Sequence, residues 1–118
     1  MTSDAAILLR VSYRVRVHET EVFERIFQEE VVPLIEEHGL RFLGIWKTLV
    51  GNVGEFLELW EFDSLAEFEN RWPVLLQDPR LQAVFEKTGP MVEDESFSIL
   101  QPALKNRSQP RPENRYRV

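Results

Sequence analysis

The chain has 118 residues, 43% hydrophobic and 29% charged, which is typical of one folded domain with a modest core. It has no cysteine, which excludes a disulfide framework, thiolate metal sites and a cysteine nucleophile. The net charge of −6 divides into +4 on residues 102–118 and −10 on residues 1–101, and an acidic body argues against nucleic-acid binding.

The first predicted element is a strand at residues 7–17, because apolar side chains alternate there with polar ones. Its apolar face includes Tyr13, and its other face carries three arginines, among them Arg14. A long amphipathic helix follows at residues 21–38, where apolar side chains recur at steps of three and four. Pro33 lies within this helix and should bend it, since proline cannot donate a backbone hydrogen bond.

Two further strands are predicted at residues 40–49 and 55–62, joined by a turn that contains two glycines. Ser64 then caps a helix that Pro73 should interrupt at about residue 72. A second helix begins after Asp78, with Asp78 as its N-terminal cap.

A fourth strand is predicted at residues 95–101, so the order is strand, helix, strand, strand, helix, strand. This is the α+β, ferredoxin-like βαββαβ order, which gives a four-stranded antiparallel sheet in the order 4-1-3-2 with both helical layers on one face. We expect a domain at residues 1–101 and a basic tail, rich in proline and arginine, at residues 102–118. The uncovered face of the sheet predicts pairing with a second copy.

Three segments of the chain resemble the NIPSNAP family. They are Val-Val-Pro-Leu-Ile-Glu-Glu-His-Gly at residues 31–39, Arg-Phe-Leu-Gly-Ile-Trp at residues 41–46 and Leu-Trp-Glu-Phe-Asp-Ser-Leu-Ala-Glu at residues 59–67. The resemblance covers about residues 7–101. It implies the dimeric α+β barrel, in which the sheets of a homodimer close against each other and the helices lie outside.

The chain departs from the family pattern at two positions. Glu58 stands where the family often has a histidine, and Phe68 stands where an arginine is common. A role tied to either family residue therefore does not carry over to this chain.

A pair of charges on the sheet is the first candidate site. If Leu57 and Leu59 face the helices, Glu58 and Trp60 share the uncovered face with Arg14, and Arg14 pairs with Glu58. A buried charge needs such a partner. The pair is expected to form an ionic contact inside a dimer interface, with an anion or carboxylate site or a solvated surface as the alternatives.

The other candidates are aromatic residues and a histidine. Tyr13, Trp46, Trp60 and Trp72 are expected as core or interface anchors, with the alternative that one or two of them line a pocket for a flat organic ligand. His38 is expected to pack near a helix end, with the alternative that it acts as a general base in a cleft, together with Tyr13. The two histidines have no metal-binding spacing, and we predict no metal.

The sequence leaves three functions open. The first is a NIPSNAP-type homodimer that binds a small organic ligand. The second is a cofactor-independent enzyme, since relatives in the wider superfamily act as monooxygenases, isomerases or cyclases on aromatic or polyketide-like substrates. The third is a protein-interaction module that uses the basic tail. No cofactor motif, signal peptide or membrane helix is found, so a cytoplasmic protein without a cofactor is expected.

Overall fold

The computed structural model describes residues 6–104. Its sheet consists of strands β1, β2, β3 and β4, spanning Ile7–Val15, Arg41–Lys47, Glu55–Phe62 and Val92–Leu100. Its helices α1, α2, α3 and α4 span Thr20–Ile26, Val32–Glu37, Leu65–Leu76 and Pro79–Thr88. Two 3-10 turns at Val17–Glu19 and Gly89–Met91 and a π turn at Phe27–Val31 complete the helical segments.

The four strands form one antiparallel sheet in the order β2-β3-β1-β4. Strand β1 lies in the middle and pairs with β3 on one side and β4 on the other. The helices lie on one side of the sheet, and the predicted ferredoxin-like fold is confirmed. In the described residues the other side of the sheet, which we call the open face, has no helical layer.

The first helical segment is continuous from Thr20 to Glu37, but it contains a π turn where the sequence predicted a bend. The amide of Val32 donates to the carbonyl of Phe27, five residues earlier. Pro33 follows immediately and has no amide hydrogen for the carbonyl of Glu29. The proline is thus accommodated by a widened turn on its N-terminal side.

Helix α3 passes through Pro73 and ends at Leu76, so the prediction that Pro73 interrupts the helix was wrong. The proline leaves the carbonyl of Glu69 without its helical donor. Both residues are exposed, and water can therefore replace the missing bond. Asp78 caps α4 as predicted, since its Oδ1 accepts from the amide of Arg80 at 2.9 Å.

Strand β4 begins three residues before its predicted start, at Val92. The pairing of β1 with β4 shifts between Ser12 and Arg14, and Asp94 has a positive φ of 56°. An aspartate tolerates this conformation better than most residues, so the strand continues through an irregularity that alternation alone does not reveal.

The hydrophobic core lies between the sheet and the helices. Trp60, Phe62, Leu75 and Leu81 are its most completely buried large side chains.

In the part of the chain that the structure describes, no helix is long and apolar enough to span a membrane. Residues 105–118, which form most of the predicted basic tail, lie outside the described residues.

Candidate functional site

A cavity of about 350 Å³ lies between the sheet and the helices. Strands β1, β3 and β4 supply its floor, and all four helices contribute to its walls. Most of the lining is aliphatic or aromatic, and its polar side chains are those of Tyr13, Glu58, Trp60, Trp72, Thr88 and Glu95. A mainly apolar cavity of this size with a few polar groups is typical of a small-molecule site.

Glu58 and Trp60 face the helices, so the predicted orientation of β3 was wrong. Phe56, Glu58, Trp60 and Phe62 are the buried positions of this strand. The large aromatic side chains bury more apolar area on the helical side than the leucines would. The leucines of β3 consequently lie on the open face.

The carboxylate of Glu58 is held from both sides. Its Oε1 accepts from the indole nitrogen of Trp60 at 2.8 Å, and its Oε2 accepts from the hydroxyl of Tyr13. These donors make a carboxylate tolerable at a position that is only 8% exposed. The predicted Arg14–Glu58 pair is therefore absent, and Tyr13 is the partner of Glu58.

Burial dominates the acid–base properties of this group. It raises the pKa of Glu58 to about 7, although the hydrogen bonds from Tyr13 and Trp60 act in the opposite direction. The negative charge of Glu95 adds to the rise. Burial also raises the pKa of Tyr13 far above its usual range, helped by the charge of Glu58, so the phenol stays protonated.

Glu95, in β4, is a second acidic residue of this site. It lines the same cavity but is more exposed than Glu58, and its partial burial raises its pKa. Sequence reasoning missed Glu95 as a site residue. The signal was present, since Glu95 alternates with Phe97 and Ile99 in the predicted fourth strand and therefore shares one face with them.

Arg14 and Trp46 lie together on the open face, away from the cavity. Both line a shallow depression there that also includes Arg10 and Leu57. Arg14 contacts Glu55 at 3.9 Å, with both side chains nearly half exposed. The predicted interface residues are thus divided, because Arg14 and Trp46 lie on one side of the sheet and Glu58 and Trp60 on the other.

His38 does not line the cavity. It follows the last residue of α2, and its Nε2 lies 2.8 Å from Oδ2 of Asp78. Asp78 also contacts Arg80, and these hydrogen bonds hold the pKa of the Asp78 carboxyl well below its usual range. In this position His38 joins the end of the first helical segment to the start of α4, which fits packing at a helix end better than general-base chemistry.

The Glu58 carboxyl can take up or release a proton at neutral pH inside a mainly apolar cavity. A carboxyl group with a pKa near 7 is present in both protonation states at neutral pH. Within residues 6–104 there is no group of three or more histidine, aspartate or glutamate side chains placed to hold a metal ion.

Three solved structures show the same fold. A NIPSNAP family protein of unknown function from Agrobacterium tumefaciens is 22% identical, with a TM-score of 0.77 over 85% of this chain and 90% of its own. An uncharacterised NIPSNAP-like domain protein from Burkholderia xenovorans is 23% identical, with a TM-score of 0.78 over 93% of this chain and 98% of its own. A dimeric ferredoxin-like protein from an uncultured marine organism is 17% identical, with a TM-score of 0.69 over 92% and 97%.

At these identities the structures establish the fold alone, and no curated protein sequence matches the chain. The family model named NIPSNAP matches residues 8–105, which include every helix, all of the sheet except Ile7, and every residue that lines the cavity. The chain therefore belongs to the NIPSNAP family.

Proposed function

We propose that this protein is a homodimer whose subunits each bind a small organic ligand in the cavity between the sheet and the helices. The observation that carries the ligand proposal is the combination of an apolar cavity with an anchored polar pair, Tyr13 and Glu58, on its floor. A merely structural core would fill this volume, because protein interiors are packed to nearly crystalline density.

The cavity has an accessible side, which supports the entry of a ligand. Leu76, Phe85 and Phe97 belong to its lining and are 47%, 38% and 52% exposed. These side chains place apolar surface between the cavity and solvent. A ligand that covers them gains hydrophobic free energy at about 25 cal/mol per Å².

The open face supports the dimer. Its strands present the side chains of Leu57 and Leu59, and Trp46 is 51% exposed beside them. Basic and acidic side chains are mixed on this face, among them Arg10, Arg14, Arg41, Glu55, Glu61, Glu93 and Asp94. A mixed face of this kind suits a two-fold interface, in which each basic group of one copy can meet an acidic group of the other.

Binding of a neutral fluorescent probe, N-phenyl-1-naphthylamine, tests the ligand site. We expect its fluorescence to rise on binding and Leu76→Asn to weaken binding by roughly tenfold, because an apolar wall becomes polar. Val74→Asn is the matched control, since Val74 is exposed on the same helix but does not line the cavity. Absence of probe binding, or equal weakening by both variants, would contradict the proposal.

Light scattering tests the dimer. We expect twice the monomer mass of 13.9 kDa at micromolar concentration. Leu57→Glu should weaken association by at least ~100-fold, because a two-fold interface receives the change twice. Val74→Glu, on the helical side, should leave the mass unchanged. A monomeric wild-type chain, or a Leu57→Glu variant that dimerises normally, would overturn the assignment.

A second candidate function is cofactor-independent catalysis. The observation that favours it is the buried Glu58 carboxyl on the cavity floor, whose burial raises its pKa to about 7. Among the reactions considered, isomerisation and cyclisation fit best, because moving a proton within a substrate needs no redox partner. Glu58 would take a proton from one substrate atom and return it to another.

Proton exchange provides the test of this second function. In D₂O we expect the protein to speed deuterium incorporation at the methyl group of 2-acetonaphthone, followed by NMR. Glu58→Gln should lose about 100-fold of the acceleration, whereas Glu86→Gln, on the exposed side of α4, should retain it. No acceleration above buffer by the wild-type protein would argue for a binding protein alone.

We also propose, as secondary hypotheses, an interaction through the basic tail and a cytoplasmic location. Interaction through the basic tail concerns residues 102–118, most of which the structure does not describe, and truncation after Pro102 tests it. Fractionation of the source cells would test the cytoplasmic location.

A further inference from the structure

We infer that the ligand of this cavity carries a protonated amine next to a flat apolar group, and that Glu58 and Glu95 act as its counter-ions. The inference rests on the ligand-binding cavity proposed above and adds the chemical class of the ligand. The evidence for it is that the cavity wall has acidic side chains and lacks basic ones.

The described lining of the cavity contains two acidic side chains and no lysine, arginine or histidine. The basic side chains near this layer point elsewhere, since Arg80 contacts Glu37 and Lys87 contacts Glu30 on the outside of the helices. An anionic ligand would enter a site with two carboxyl groups and no compensating charge, at a high electrostatic cost. The wall therefore excludes carboxylates and phosphates and favours a cation.

The geometry of Glu58 leaves it able to accept another donor. Tyr13 and Trp60 use one lone pair on each carboxylate oxygen, and a second lone pair remains on each. These two bonds also fix the orientation of the carboxylate, so little entropy is lost when a ligand ammonium group binds. An ammonium group offers three donors to such acceptors.

Glu95 lies on the same face of the sheet as Glu58. Glu58 is opposite Val11 in the β1–β3 pairing, and Val11 is opposite Phe97 in the β1–β4 pairing. Glu95 is two residues from Phe97, and its charge acts on the Glu58 carboxyl. A ligand that enters from the exposed side thus meets Glu95 near the opening and Glu58 on the floor.

Seven aromatic side chains line the cavity together with the two glutamates. Phe23, Phe27, Trp72, Phe85 and Phe97 line the cavity together with Tyr13 and Trp60. Aromatic faces attract cations as well as flat apolar groups. Aromatic walls and an acidic floor both favour an aryl-alkyl amine.

Three naphthalene probes that differ mainly in charge test the inference at pH 8, by displacement of N-phenyl-1-naphthylamine. They are naphthalen-2-ylmethanamine, naphthalen-2-ylmethanol and naphthalene-2-carboxylate. We expect the amine to bind at least tenfold more tightly than the alcohol and the carboxylate to bind least. Glu95→Gln and Glu58→Gln should each reduce the amine-to-alcohol affinity ratio at least threefold, whereas Glu86→Gln should leave it unchanged.

The outcomes separate the two proposals. If the alcohol or the carboxylate binds as tightly as the amine, the inference about charge is wrong while the cavity proposal stands. If none of the probes binds, including N-phenyl-1-naphthylamine, the proposed ligand site itself fails. An amine preference that persists in both glutamine variants would also overturn the inference, because another group would then be the counter-ion. Glu95 is exposed, so its variant is expected to fold even where a change at Glu58 is disruptive.

Discussion

Replacement of Glu58 by glutamine should change how the stability of the protein depends on pH. In the folded protein burial raises the pKa of this carboxyl from 4.5 to about 7, so between these values the folded state holds a proton that the unfolded state has released. Stability from this proton is fully present below about pH 4.5 and is lost as the pH rises through 7. A shift of this size corresponds to about 3 kcal/mol.

The glutamine side chain removes the titration but keeps partners for its neighbours. Its carbonyl oxygen can accept from Trp60, and its amide can donate to the hydroxyl oxygen of Tyr13. We therefore expect the free energy of unfolding of the wild type, relative to that of Glu58→Gln, to fall by about 3 kcal/mol as the pH is raised, mostly between pH 5 and 8.

Urea unfolding followed by tryptophan fluorescence measures this difference at each pH. The protein concentration must be fixed, since association of subunits adds to the apparent stability. Glu86→Gln is the control, and its curve should run parallel to the wild type. If the Glu58→Gln curve is also parallel, the carboxyl does not have a raised pKa, and the reasoning from its burial is refuted.

Three further outcomes follow from the described contacts. Tyr13→Phe should cost about 1–3 kcal/mol at pH 8, where Glu58 is charged and loses a donor, and less at pH 5, as urea titrations at both values would show. Asp78→Ala should lower the thermal midpoint at pH 7 more than Asp78→Asn, which keeps a cap for α4; equal losses would mean that the cap adds little. Gly39→Ala should cost about 1–2 kcal/mol, because Gly39 ends the first helical segment at a φ of 93°, and an unchanged urea midpoint would contradict this.

The fold was predictable because the period of the apolar residues changes clearly along the chain. Strand β1 alternates over its whole length, and the first helical segment has its apolar side chains at steps of three and four. Asp78 added a start signal for α4 that the structure confirms. These signals are local, and local patterns are what a sequence displays directly.

The candidate site was predicted only in part, because β3 is apolar on both faces. Its sequence alternates leucines with aromatic residues, and glutamates occur on either side, so alternation alone does not say which side meets the helices. The hydroxyl of Tyr13 helps to place Glu58 on the helical side of β3, since it gives the buried carboxylate a donor from the neighbouring strand. That contact joins residues far apart in the sequence, so it cannot be predicted from the periodicity of one strand.

The π turn at Phe27–Val31 has a consequence for changes of chain length. Phe23, Phe27, Val31 and Ile35 are all buried and lie four residues apart. In an uninterrupted α-helix each residue turns by about 100°, so a step of four residues goes about 40° beyond a full turn. Three steps of four residues would therefore rotate the last side chain by about 120° from the first. The wider turn offsets part of this drift and keeps the four side chains on one wall of the cavity. Insertion of one further residue here would rotate one half of the wall by about 100° relative to the other, so this segment should accept substitutions far more readily than insertions.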